Sequence, residues 1–194
     1  MTVIGFGLLG YLSGSLPFAI WVTQLVKGVD VRNSGSGHAS TTNTFRQTGL
    51  GPGIVVLVLD IAKGFIPTYL AATYSESNWS LVVAGGFAVV GHCWPLFAGF
   101  RGGMGLATAG GSLLAVYPFG FAIALGILIT LTLLLKHSAR ASFIAALFFA
   151  PTFYLLGQRG SIIWLMIGIG LVLAYRFLID WNREYKELWL DRVD

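Results

Sequence analysis

The chain has 194 residues, 56% of them hydrophobic and only 10% charged, whereas an average soluble domain is about a quarter charged. That composition excludes an ordinary water-soluble globule and points to an integral membrane protein. The formal charge of +4 reads as an orientation signal and an attraction to anionic lipid, not as a mark of nucleic-acid binding. The single cysteine, Cys93, excludes an intramolecular disulfide.

Apolar runs long enough to cross a bilayer, roughly 20 residues each, fall at 2–26, 53–74, 80–98, 105–117, 119–135, 141–156 and 161–180. The expected fold is an all-α integral membrane protein of about seven transmembrane helices, with the N-terminus outside and the C-terminus inside. Residues 1–194 form one domain in this reading, since no composition shift or long linker divides them. The run 105–117 is short and Pro118 separates it from the next, so six full spans plus a half-helix is the other count. No Lys or Arg precedes the first run, and Lys27 follows it, which argues for a retained helix over a cleaved signal. In this orientation Lys27, Arg32, Arg46, Arg101, Lys136, Arg140 and the cations from Arg176 onward lie inside and Arg159 outside, as the positive-inside rule requires.

The longest internal connection, Lys27 to Gly53, carries Asp30, Arg32, Ser34, Gly35, Ser36, Gly37, His38, Ser40, Thr41, Thr42, Asn43 and Arg46. Hydroxyls, an amide and glycines between two arginines supply what a phosphate monoester needs: donors for its oxygens and guanidinium for its charge. Such a composition also suits a solvated loop. Asp60 and Lys63 follow within the second span; at i, i+3 they share a helix face and can pair, as a functional site or as a packing device. Residues 91–108 then read GHCWPLFAGFRGGMGLAT. Its glycines let backbone N–H groups converge on an anion, and Arg101 adds a cation.

His38, His92 and His137 show no tight ligand spacing with Cys93, so no metal is expected. His92 either orders the turn before Pro95 or contacts substrate. The aromatics, Trp94 and Trp164 among them, suit membrane interfaces. The closing segment DWNREYKELWLDRVD reads as an amphipathic helix lying on the inner leaflet.

Three motifs thus stand in order on the inner face: Asp30-x-Arg32-x-x-Gly35-Ser36-Gly37 continuing to Thr42-Asn43-x-x-Arg46, then Asp60-x-x-Lys63-Gly64, then Gly91-His92-x-x-Pro95-x-Phe97-x-x-Phe100-x-Gly102-Gly103-x-Gly105-x-Ala107-Thr108. Together they closely resemble the PlsY family of bacterial membrane glycerol-3-phosphate acyltransferases, and the likeness extends over most of the chain. The resemblance implies transfer of a fatty acyl group from acyl phosphate to glycerol-3-phosphate, giving lysophosphatidic acid for phospholipid synthesis, without a cofactor and at the cytoplasmic face of the bacterial inner membrane. It implies that Arg32, Gly35, Gly37, Thr42, Asn43, Arg46, Arg101, Gly102, Gly103 and Gly105 bind substrate, and that Ser36, His38, His92 and Lys63 serve the chemistry. The base is a substrate phosphate oxygen, His38 or His92. No histidine here has Asp at the spacing H-x-x-x-x-D, the pair used by the soluble-headed acyltransferases.

This chain departs from the family pattern at identifiable places. His38 stands for an asparagine, Ser40-Thr41 for glycine-alanine, and Met104 for the lysine of G-G-K-G; the end of the last span keeps Arg176 and loses a histidine. Two other readings follow: a diverged homologue that binds lipid or phosphate without turnover, and an organophosphate transporter, which the lack of an internal repeat disfavours. Oligomeric state is not legible.

Overall fold

A computed structural model describes residues 2–183. The expected amphipathic helix at the C-terminus falls mostly on residues 184–194, outside the described residues.

The first apolar run does not form one helix. It forms α1 (Val3–Gly14) and α2 (Phe18–Lys27). Pro17 has no N–H to donate and stands at φ −91°, ψ 60°, so the helix cannot propagate through it. The break turns the Leu16 carbonyl toward the next span, where it accepts a hydrogen bond from Lys63 Nζ at 3.0 Å.

The internal connection is not a plain loop either. It holds a short 3-10 turn, Val31–Asn33, and then α3 (Thr41–Thr48). Ser40 starts α3 as an N-cap: its Oγ accepts from the Asn43 N–H at 3.3 Å, satisfying a donor that the first turn leaves without a helical partner.

The remaining helices are α4 (Leu50–Tyr74), α5 (Asn78–Cys93), α6 (Leu106–Val116), α7 (Pro118–Leu135), α8 (Ser138–Leu155) and α9 (Ser161–Ile179). Six segments of the described residues are long and apolar enough to cross a membrane, with 3–27 counted as one of them; α6, at 11 residues, is shorter. The chain reverses at each connection, so residues 28–49, 94–105, 136–137 and the end of α9 gather at one end of the bundle.

Close helix contacts set this arrangement. Lipid offers no hydrophobic drive for association, so small residues that let backbones approach supply much of it through packing. On α1, Gly10 and Gly14 lie against the carbonyls of Ala84 and Ala88 of α5. Between α4 and α6 the contact is reciprocal: Gly64 rests on the Thr108 carbonyl and Gly111 on that of Ile61, with no room for a Cβ at either glycine. At the other extreme, α7 buries only Gly120 along its 18 residues and forms the rim of the bundle.

Replacing Gly64 by Val forces α4 and α6 apart. The expected loss is about 3 kcal/mol, the upper part of the range for overpacking, and thermal unfolding of the purified protein beside the parent measures it.

Candidate active site

The 30–40 loop is built by two side chains. Asn43, fully buried, accepts from the Ser36 N–H and donates through Nδ2 to the carbonyls of Val31, Ser34 and His38. Gly35 and Gly37 take positive φ values of 59° and 69°, and a Cβ on Gly35 would strike Asn43 Oδ1. Arg32 ties the loop to the glycine-rich turn. Its Nε and Nη2 bind Asp30, while Nη1 donates to the Ala98 carbonyl at 2.7 Å and the Arg101 carbonyl at 3.3 Å. The hydrogen bonds from Arg32 hold the Asp30 carboxyl below its usual range, outweighing the effect of partial burial.

A buried polar cluster lies beneath the loop. Asp60 Oδ1 pairs with Lys63 Nζ at 2.9 Å, and Asp60 Oδ2 accepts from Thr41 Oγ1 at 3.3 Å. His92 Nδ1 is 3.1 Å from Thr108 Oγ1 and 3.7 Å from Asp60 Oδ1. A carboxylate on that side favours the proton on Nδ1 and leaves Nε2 as the acceptor. Nε2 faces Gly103, where a Cβ would collide with the ring and with the Ala39 carbonyl. Lys63 turns away from the loop: besides Asp60 it reaches Leu16 and lies 5.8 Å from the centroid of the Phe18 ring.

A second polar link closes the site from α9. Arg176 donates through Nε to the Gly103 carbonyl at 3.1 Å and through Nη2 to His38 Nδ1 at 3.1 Å. Arg can only donate, so His38 Nδ1 accepts from Arg176; Nε2 lies 2.5 Å from Asp180 Oδ2 and 3.0 Å from Arg183 Nη1. Arg183 flanks the pair, 3.5 Å from Asp180 Oδ1. Both ring nitrogens of His38 are therefore engaged.

Above these groups opens a cavity of about 500 Å³. Its polar end presents Ser36, His38, Ser40, Thr41, Thr42, Arg46, Asp60 and His92. Met104, Gly105, Leu106 and Ala107 bring in the N-terminus of α6, whose amides carry partial positive charge. The other end is hydrocarbon: Leu57 and Ile61 of α4, then Phe121, Leu125 and Leu128 of α7. One space thus joins hydroxyl and cationic side chains at one end to an apolar lining at the other.

Comparisons with known proteins agree with this geometry. The family model described as glycerol-3-phosphate acyltransferase matches residues 4–187. The chain belongs to the glycerol-3-phosphate acyltransferase family. A glycerol-3-phosphate acyltransferase of Shouchella clausii (strain KSM-K16) is 40% identical over 164 residues, covering 79% of this chain and 80% of the relative. One of Fusobacterium nucleatum subsp. nucleatum is 35% identical over 184 residues, 94% of each chain. The crystal structure of PlsY (YgiH), an integral membrane glycerol 3-phosphate acyltransferase, in its glycerol 3-phosphate form superposes with a TM-score of 0.85 at 33% identity, over 94% of this chain and 92% of that one. Its lysophosphatidic acid form gives a TM-score of 0.83 at 32% identity. The enzyme class and the all-helical membrane fold expected from the motifs are therefore those of the family.

Of the residues singled out in the sequence, Ser36, His38, Thr42, Arg46, His92 and Gly105 line the cavity, together with Met104. Arg32, Gly35, Gly37 and Asn43 instead shape the loop behind it. Gly102 and Gly103 form the turn, the first through its carbonyl to the Ala39 N–H at 3.3 Å and the second through its N–H to the His92 carbonyl at 3.1 Å. Arg101 is exposed and Lys63 lies on the far side of Asp60, so neither lines the cavity. Sequence reasoning missed Thr41 as a partner of Asp60 and Asp180 as a partner of His38. The second was signalled: the altered loop position and the altered end of the last span are the two departures that meet in space.

Asn43→Ala strips the loop of its central donor and acceptor. A destabilisation of about 2 kcal/mol is expected, with faster proteolytic cleavage between residues 30 and 40. The acid behaviour of the same loop follows from Asp30. A folded-state pKa below the ordinary 3.8 stabilises the loop above that value, and the stabilisation disappears as the pH falls through the lowered one. Cleavage of the loop by an acid protease is thus expected to change little from neutrality down to the ordinary carboxylate range and to rise below it.

Proposed function

We propose that the protein transfers a fatty acyl group from an acyl phosphate to glycerol-3-phosphate, releasing lysophosphatidic acid and inorganic phosphate at the cytoplasmic face of the bacterial inner membrane. The observation that carries this reading is the joined cavity, hydroxyl- and cation-lined at one end and hydrocarbon at the other. Glycerol-3-phosphate matches the first end, and an acyl phosphate, with an anionic head and an apolar tail, matches both. The gathering of Arg32, Arg46, Arg101, Lys136, Arg140 and Arg176 at that end supports a cytoplasmic site.

An acyl phosphate is an activated mixed anhydride, so the protein supplies mainly positioning and charge stabilisation. The acceptor hydroxyl oxygen attacks the acyl carbon, the bond from that carbon to the phosphate oxygen breaks, and phosphate leaves with the bonding pair. The hydroxyl proton passes to a phosphate oxygen or to His92 Nε2. His38 is the weaker candidate, since Arg176 occupies Nδ1 while Asp180 and Arg183 occupy Nε2. Arg46, the hydroxyls of Ser36, Ser40 and Thr42, and the amides at the start of α6 hold the phosphates. Asp60, steadied by Lys63, sets the His92 ring. No cofactor enters the balance.

Met104 lines the cavity where the family pattern has lysine, and this favours one other reading, a homologue that binds phosphate or lipid without turnover. Reconstituted protein supplied with acyl phosphate and glycerol-3-phosphate distinguishes the two. The expected result is lysophosphatidic acid from the parent, a loss of about 100-fold in kcat/KM for Arg46→Ala, and a gain for Met104→Lys. An inactive parent rescued by Met104→Lys supports the binding homologue, and no product from either protein overturns the acyltransferase reading.

A further inference from the structure

This inference rests on the acyltransferase reading and concerns how the same site measures its lipid substrate. Beyond the polar groups the cavity lies along the seam between α6 and α7, lined there by Leu106, Gly110, Phe121, Leu125 and Leu128. From Leu128 to Phe121 the axis of α7 advances about 10 Å, less than an extended hexadecanoyl chain. Of the α7 residues that line the cavity, Phe121 is the one nearest the Pro118 end of the helix, away from the polar end. It rests on the bare backbone of Gly110, where a Cβ would stand only 2.9 Å from Phe121 Cε2. Leu106, Gly110, Phe121, Leu125 and Leu128 also line a second cavity of about 60 Å³, which reaches Phe149, Met166 and Leu173. The ring therefore lines both the channel and this further apolar space.

We infer that Phe121 is the residue that sets acyl-chain length. Its ring is the end stop for the terminal methyl of the acyl chain, Gly110 supplies the flat surface on which the ring rests, and the second cavity is the room a longer tail enters once the ring is removed. The occupant is the distal part of the acyl tail itself, because the space is continuous with the polar end that holds the head. The discrimination is steric and apolar, the kind in which a difference in methylenes changes kcat/KM by tenfold or more.

The test compares dodecanoyl and octadecanoyl phosphate as donors for the parent, Phe121→Ala and Phe121→Trp. Phe121→Ala is expected to raise the octadecanoyl-to-dodecanoyl ratio of kcat/KM by about tenfold, and Phe121→Trp to lower it. A ratio compares two donors on one preparation, so partial loss of folded protein cancels. A ratio that is the same in all three proteins overturns the inference while leaving the acyltransferase reading intact. If no protein transfers either chain, that reading fails, and the inference is decided by thermal stabilisation with dodecanoyl and octadecanoyl lysophosphatidic acids. A difference between the two ligands that Phe121→Ala reverses supports it. An unchanged difference, or no stabilisation by either ligand, overturns it.

Discussion

The site depends on the contact between α4 and α6. Gly64 and Gly111 each place a bare Cα against a carbonyl of the other helix, and this spacing brings Asp60 and Lys63 alongside the turn that leads into α6. The same contact seats Ser112, whose Oγ donates to the carbonyls of Gly64 and Thr108 at 3.3 and 3.2 Å. A methyl group at either glycine would lift α6 and carry Thr108, the partner of His92, out of reach. Backbone proximity on the lipid-excluded side of the bundle is thus what allows a buried carboxylate, ammonium and imidazole to share one small volume.

That shared volume solves an electrostatic problem. An ionised carboxylate deep in a helix bundle is tolerated only when its oxygens are occupied. Asp60 has Lys63 on one oxygen and the Thr41 hydroxyl on the other. Lys63 in turn uses a carbonyl released by the break at Pro17. The interruption of the first span is therefore part of the charge balance of the site. The loop is organised in the same way from the other side, where Arg176 and Asp180 bracket His38.

Much of this was legible in the sequence. Most of the spans follow from hydropathy, and the three motifs identify both the family and the end of the bundle where the polar lining of the cavity gathers. The hydrogen-bond partners inside those motifs were not legible. Asn43 and Arg32 look like phosphate ligands by residue type, yet their donors are taken by backbone carbonyls and Asp30, because a glycine-rich loop has few other ways to satisfy its polar backbone. Ser-Leu-Pro at 15–17 marks a helix break only once Pro17 is weighed against the apolar run around it. Asp180 was signalled only by the two departures from the family pattern, at His38 and at the end of the last span, and the packing of α9 against the turn is what joins them.

The near absence of burial along α7 has a consequence of its own. One wall of the cavity is a helix whose inner face meets α6 and α8 and whose outer face has nothing in the described protein to lean on. In a bilayer that face would meet hydrocarbon, so the thickness and lateral pressure of the membrane would bear on the width of the channel. An enzyme that makes phospholipid precursors would in this way have part of its binding site shaped by the membrane it helps to build.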